Sequence, residues 1–277
     1  MKIPKISVIT PSYNQGEFIE ETILSIINQN YPNLEYIIID GGSSDRSIEI
    51  IQRYESYLSF WVSEKDRGQS HAINKGFMKA TGDIICWINS DDILMPNALQ
   101  KVAEFFNSNE DVDFLNGHLL IIDKHSKIIS NYFILNQKDF YARRGIYYVA
   151  QQSMFWRRKL FDQIGFLKED FHALMDREFL IRILRRNKKI GQLNEILAGI
   201  RKHEATKTAL NGTIWSRDAS ELNRLYGNSY GRKNPNVTSL ILYRLEKILK
   251  GIYFKQVAFI LKWKGKHINE LTKAVNA

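Results

Sequence analysis

Between residues 6 and 108, four short and almost uninterrupted apolar runs alternate with segments of helical period, and this pattern constrains the fold more than any other feature of the chain. The runs are ISVITP (6–11), LEYIIID (34–40), LSFWVS (58–63) and IICWIN (84–89). A strand with one wet face alternates apolar and polar residues, whereas a continuous run must be covered on both faces, as in a parallel sheet between helices. The intervening segments supply those helices. Residues 17–29 repeat apolar positions at Phe18, Ile19, Thr22, Ile23, Ile26 and Ile27; 45–55 open on Asp45, 69–80 are helical, and 96–107 open on Pro96. The prediction is an α/β fold, a Rossmann-like and mostly parallel sheet flanked by helices. Such sheets bind ligands beyond the carboxyl ends of their strands, so residues at those ends are the first functional candidates.

Beyond residue 110 the pattern loosens. Strand-like pieces at 112–122, 127–134 and 149–156 precede an amphipathic helix at 174–187 and a strand with a turn at 190–201. GNSYGRKNPN (227–236) reads as a linker. The expected organisation is a body of residues 1–215, divided into halves 1–108 and 109–215, followed by a basic amphipathic helical extension, 216–277. Charge follows this division: of 39 Lys and Arg and 30 Asp and Glu, residues 216–277 hold 12 and 4. A nearly neutral body has no basic excess to track a phosphate backbone, which argues against a nucleic-acid partner. The single Cys86 excludes an internal disulfide and a Cys-rich zinc site, and within an apolar strand it reads as core. The first strand is not followed by G-x-G-x-x-G, and G-x-x-x-x-G-K-[ST] is absent, which removes the main support for a dinucleotide site and excludes a P-loop. With no secretory leader visible and no run near the roughly 20 apolar residues of a spanning helix, a soluble, cytoplasmic protein is expected.

Five constellations could carry chemistry. INSDD (88–92) sets two carboxylates together at a strand end, which is costly unless a cation joins them; the plain alternative is a helix cap. In IIIDGGSSD (37–45), Asp40 could accept from a base or ribose while the glycines let a ligand approach the backbone; the alternative is a strand–turn–helix capped by Asp45. EKDRGQSHAINKG (64–76) brackets a helix start with Asp66, Arg67, Asn74 and Lys75, of which Arg67 or Lys75 could neutralise a diphosphate or equally be a solvated surface charge. Asp176 in ALMDREF (173–179) is a general-base candidate or an acid favoured by a helix N-terminus. His203 in RKHEATKT (201–208) follows a strand as a ligand candidate or a structural residue.

Taken in order, ITPSYN, IIIDGGSSD, DRGQSHAINKG, GDIICWINSDD, QQSMFW, LMDREFLIRI and RKHEATKT resemble glycosyltransferase family 2 over about residues 4–210, in particular its bacterial branch with a W-x-N-S-D-D motif. The resemblance implies a GT-A fold and an inverting transfer of a sugar from a nucleotide-diphosphate donor, UDP by default, to a glycan or lipid-linked acceptor in cell-surface polysaccharide synthesis. By the same resemblance 1–108 bind the nucleotide sugar and 109–215 the acceptor. Pro11, Ser12 and Tyr13 line the nucleotide pocket, Asp40 binds base or ribose, Asp66 belongs to the nucleotide-sugar site, and Asn74 and Lys75 lie near the nucleotide. Asn89-Ser90-Asp91 takes the D-x-D place, with Asp91 as ligand to Mg²⁺ or Mn²⁺, Asp92 supporting it and His203 as a further contact. Asp176 is the catalytic base, with Glu178 as alternate. Two departures stand out: Asn89 replaces the first acid of D-x-D, and Gly41 replaces the usual Asp after Asp40.

The tail has a separate reading. Apolar Leu242, Leu245, Leu249, Ile252, Phe259 and Trp263 are interleaved with Arg244, Lys247, Lys250, Lys255, Lys262, Lys264 and Lys266. Residues 240–266 therefore suit an anionic membrane surface and a peripheral place on the inner face of the cell membrane, or else a helix packed on the body. Two other function classes stay open: a sugar-nucleotide-binding homologue that has lost catalysis, motivated by Asn89 and Gly41, and a surface binder acting through the basic tail.

Overall fold

The computed structural model describes residues 2–147, 151–204, 212–227, 230 and 235–275. The expected alternation is present at its N-terminal end. Strand β1 (Ile6–Ser12), helix α1 (Ile19–Ile27), β2 (Leu34–Asp40), α2 (Ser47–Arg53), β3 (Phe60–Ser63), α3 (Gln69–Lys79) and β4 (Ile84–Trp87) follow one another. A two-residue strand β5 (Ile93–Leu94), which the sequence did not announce, precedes α4 (Ala98–Ser108). Then come β6 (Phe114–Asp123), β7 (Ile128–Tyr132), α5 (Asp139–Ala142), β8 (Met154–Arg157), α6 (Phe161–Ile164), α7 (Met175–Arg185) and β9 (Ile190–Lys202). Four helices close the chain: α8 (Gly212–Tyr226), α9 (Val237–Leu249), α10 (Ile252–Trp263) and α11 (Ile268–Val275).

Side chains of β1, β2 and β4 alternate between two cores, which is why their sequences are continuously apolar. Ile9, Ile37, Ile39, Ile85 and Trp87 face one core with α3 and α7. Ile6, Val8, Tyr36, Ile38, Ile84 and Cys86 face the other with α1, α2 and α4. Helix α3 lies close on the sheet because Gly76 has no side chain; a Cβ there would sit 2.4 Å from Ile9 Cγ2.

The strand order is β3-β2-β1-β4-β8-β6-β9-β5, with β7 paired to β6. Parallel pairing holds for β3-β2-β1-β4 and for β6 with β9, whereas β8, β5 and β7 run antiparallel to their neighbours. Parallel pairing thus runs through the whole first half, and the second half combines the parallel β6–β9 pair with antiparallel ones. Parallel neighbours need long crossover connections, and the short link between β6 and β7 permits only reversal. The turn expected in 190–201 is also absent. β9 is one strand, and its pairing with β6 shifts register on either side of His118. Its glycines serve close approach: a Cβ at Gly191 would meet Phe105 at 2.6 Å.

The 215/216 boundary falls inside α8, whose Ala219 and Leu222 belong to the first core. The linker expected at 227–236 lies largely outside the described residues. Helices α9 to α11 pack on the body. Tyr243 and Ile252 join Phe133, Leu135 and Tyr141, and Trp263, Ile268 and Leu271 join Leu120, Ile122 and Ile128. Among the described residues no helix is long and apolar enough to cross a membrane.

Candidate active site

The carboxyl ends of β1, β2 and β4 open into a cavity of about 680 Å³. Pro11, Ser12 and Tyr13 form one wall, Gly41, Gly42, Lys65 and Asp66 another, and Asn89 to Asp92 the floor. Tyr13 is exposed at the mouth, its ring free to stack on a planar ligand. Asp66 Oδ1 accepts from the Gly68 amide at 2.7 Å and shapes the turn into α3. Its other oxygen lies so near Gly41 that a Cβ there would be 2.5 Å away. Gly41 is thus the residue that lets the Asp66 carboxylate reach the cleft.

The Asn89–Asp92 loop is held by a closed hydrogen-bond network. Asn89 Nδ2 donates to Asp92 Oδ2 (3.0 Å) and Gln151 Oε1 (3.2 Å), and Asn89 Oδ1 accepts from Gln69 Nε2 (2.8 Å). An Asp at 89 would press two carboxylates together; the amide converts that repulsion into a bond. Asp92 also accepts from Gln152 Nε2 (2.8 Å) and the Arg201 amide (2.9 Å). Burial, reinforced by the Asp91 charge, pushes its carboxyl well above the usual range. Asp92 supports the loop from within.

Asp91 turns the other way, its Oδ2 lying 3.1 Å from His203 Nε2. Among the described residues no group of three or more His, Cys, Asp or Glu could enclose a metal ion. One carboxylate and one imidazole at the cleft fit a divalent cation that a diphosphate helps to ligate, not a dedicated protein cage.

A second cavity of about 530 Å³ adjoins the first, and Gln69, Asn89, Gln152 and Ile200 line both. Asp176, in the first turn of α7, lines the second cavity together with His172, Arg177, Tyr147 and Trp215. Burial raises the Asp176 pKa, against the Arg177 amide that donates to Oδ1 at 2.7 Å and the Arg177 charge. The Arg177 guanidinium lies over the Tyr147 ring (4.1 Å to its centroid) and the Trp215 ring (5.4 Å). The loop that delivers Asp176 is fixed from α8: buried Asp218 Oδ2 accepts from the amides of His172 (2.9 Å), Ala173 (2.7 Å) and Leu174 (3.1 Å).

Of the residues singled out in the sequence, the structure gathers Pro11, Ser12, Tyr13, Asp66, Asn89, Ser90, Asp91 and Asp92 at the first cavity and Asp176 at the second. His203 is joined to the first through Asp91. Five are not brought to either lining, among them Arg67, which pairs with Glu169 at 2.7 Å. Asp40 is fully buried, accepting from the Gly42 and Ser43 amides and the Ser43 and Ser63 hydroxyls, so it organises the loop behind the cleft. Asn74 clamps Leu167 through both backbone groups, and Lys75 pairs with Glu64 at 2.7 Å. Glu178, the alternate base, is fully buried against Arg182 at 2.8 Å and away from both cavities.

Sequence reasoning missed Gln69, Gln152, Asp218 and Arg201. Arg201 is buried, donating from Nε to the Asp91 carbonyl (2.9 Å) and from Nη2 to Glu21 (2.6 Å). An Arg closing the apolar run 196–200, two residues before His203, was its only signal.

A sequence model of Glycosyl transferase family 2 matches residues 7–165. The chain is 34% identical over 121 residues to the putative teichuronic acid biosynthesis glycosyltransferase TuaG of Bacillus subtilis, covering 43% of this chain and 48% of that one. It is 33% identical over 128 residues to an uncharacterized glycosyltransferase of Nostoc sp., covering 45% and 39%. The matches thus span less than half of these relatives' own lengths. Among solved structures, S. aureus TarS 1–349 in complex with UDP-GlcNAc superposes with a TM-score of 0.63 at 18% identity, covering 79% of this chain and 66% of that one. The mannosyltransferase PcManGT from Pyrobaculum calidifontis, in complex with GDP-Man and Mn²⁺, gives 0.58 at 18% identity, covering 85% and 67%. The architecture is the GT-A type of these structures.

Proposed function

Because the chain belongs to glycosyltransferase family 2, we propose that it transfers a sugar from a nucleoside-diphosphate donor, a UDP-sugar first, to a hydroxyl of a glycan or lipid-linked acceptor, inverting the anomeric centre. The observation that carries this reading is the pair of cavities sharing the wall Gln69, Asn89 and Gln152, with Asp91 at the first and Asp176 at the second. Donor and acceptor entering from opposite sides would meet at that wall. The ligands of TarS and PcManGT support the donor class, and the name of TuaG supports a role in cell-surface polysaccharide synthesis.

In this reading Tyr13 stacks on the base, while Asp66 accepts from base or ribose. Asp91 and His203 would hold Mg²⁺ or Mn²⁺, whose positive charge offsets that of the diphosphate. The N-terminus of α3, which brings Gly68 and Gln69 to the cavity, and Lys65 add favourable charge there. The Asp176 carboxylate takes the proton of the acceptor hydroxyl as its oxygen bonds to the anomeric carbon. The bond from that carbon to the phosphate oxygen breaks on the opposite face, and its electron pair leaves with the nucleoside diphosphate. The reading of a catalytically impaired homologue loses its motive here, because Asn89 and Gly41 each satisfy a local packing demand.

Thermal unfolding with UDP, GDP and dTDP, each with Mn²⁺, Mg²⁺ or chelator, tests the reading. One nucleotide at a hundredfold its Kd should stabilise the protein by about 2.7 kcal/mol in the presence of metal. The shift should vanish with chelator and in Asp91→Ala. No shift with any nucleotide and metal would refute it.

A further inference from the structure

Helices α9 and α10 each pack one face on the body and turn an apolar stripe outward. On α9 the packed face repeats at Ser239, Tyr243 and Lys247. Ile241, Leu245 and Ile248 lie on the opposite side, flanked by Leu242 and Leu249, and all five are exposed. On α10 the packed face is Ile252, Phe259 and Trp263, while Phe254, Val257 and Leu261 point outward. Most of the exposed large apolar side chains among the described residues lie on this one helical hairpin. Soluble surfaces rarely leave so contiguous a patch open without a binding role.

We propose that the outward face of α9–α10 seats the protein on an anionic lipid surface. Charge selects this occupant over a second copy of the chain. Residues 237–266 expose six Lys and Arg, with Lys247 on the packed face, against one acid, Glu246, which is already engaged by Lys138, Lys250 and Tyr141. Two copies meeting on this face would bring like charges together, whereas an anionic leaflet complements them. Lys262 and Lys266 hold their ammonium groups over the Trp263 ring, 5.0 and 4.9 Å from its centroid, and leave the stripe itself apolar. A helix with an apolar face and basic flanks lies in the plane of a bilayer interface. The packed face of the hairpin meets the end of β7, where Phe133 lies 5.8 Å from Phe259. The seating does not depend on the transfer reading.

The test is flotation of the full chain with vesicles of phosphatidylcholine alone or with about one-third phosphatidylglycerol. Three substitutions at the most exposed positions, Leu249→Glu (86% exposed), Phe254→Glu (73%) and Leu261→Glu (83%), are combined in one variant, and Lys255→Glu with Lys262→Glu in a second. The wild type should float with the anionic vesicles only. Both variants should lose at least tenfold in partitioning, with thermal midpoints and nucleotide-induced shifts unchanged. Absence of flotation, or equal flotation on both compositions, would overturn the proposal. So would a wild-type dimer that the leucine–phenylalanine variant dissociates. The nucleotide shifts measured on the same preparations separate its failure from failure of the transfer reading.

Discussion

Asp218 should control Asp176 from a distance. Its carboxylate is almost fully buried and receives three backbone amides of the loop before α7 on one oxygen. Asp218→Ala removes that acceptor. The Leu174 amide is buried and bears the full cost of an unmade bond, about 1–3 kcal/mol. His172 and Ala173 are half-buried, so water recovers part of their loss, leaving about 0.5–1.5 kcal/mol each. The sum centres near 4 kcal/mol, which for a chain of this size lowers Tm by about 8–16 °C. Asp218→Asn retains an oxygen acceptor and loses the charge, for about 2 kcal/mol. Hydrogen exchange read residue by residue locates the effect: amides 172–174 should lose protection in both variants, more in Ala, while the β1–β4 amides follow global stability. Displacing Asp176 by about 1 Å should cost about 100-fold in turnover. Nucleotide binding should be retained, because residues 172–176 do not line the first cavity. Wild-type Tm and wild-type protection at 172–174 in Asp218→Asn would refute the reasoning.

Three further outcomes are expected. Asp176→Asn should abolish transfer, a loss of about 10²–10⁴-fold, and keep nucleotide binding. The wild-type rate should fall with decreasing pH through a pKa above that of an ordinary Asp, because burial raises it and the carboxylate is the working form. Since a raised folded-state pKa costs stability at neutral pH, the same variant should melt slightly higher. Glu35 has the opposite sign. Burial pushes its pKa up, but bonds from Lys5, Ser7 and Thr81 outweigh that and hold it at about 2. Its contribution is present above its ordinary value of 4.5 and lost as pH falls from there toward 2, so Glu35→Gln should flatten the acid limb of Tm against pH. Gly76→Ala should cost about 1–3 kcal/mol in chemical denaturation by pushing α3 off Ile9.

What the sequence disclosed divides along the distance over which each interaction acts. β1, β2 and β4 were legible because a strand covered on both faces must be apolar throughout, and the residues closing such strands fall at the ligand edge by topology alone. Pro11, Ser12, Tyr13 and Asn89 to Asp92 needed nothing more. Asp40 satisfies the same rule, yet its carboxylate lies buried behind the cleft and accepts from Gly42, Ser43 and Ser63. Asp218 and Arg201 were illegible because their partners are remote. Asp218 meets its amides across 44 to 46 residues, and Arg201 meets Glu21 across 180. No period or motif connects such positions.

The same distinction bears on the two departures from the family pattern. Viewed alone, Gly41 is a lost acid and Asn89 a lost metal ligand. In the fold, the acid at the cleft comes from Asp66, and Gly41 is the gap that admits it. Asn89 joins Gln69, Gln151 and Asp92 in one network, where a carboxylate would face Asp92 at 3.0 Å. The charge is redistributed within the cleft: one carboxylate arrives from the turn before α3, and another, Asp92, is turned inward beneath the loop. Asp91 is then the carboxylate of the DD pair that faces outward, beside His203, so Asp91→Ala is a sharper probe of cation dependence than any change at Asn89.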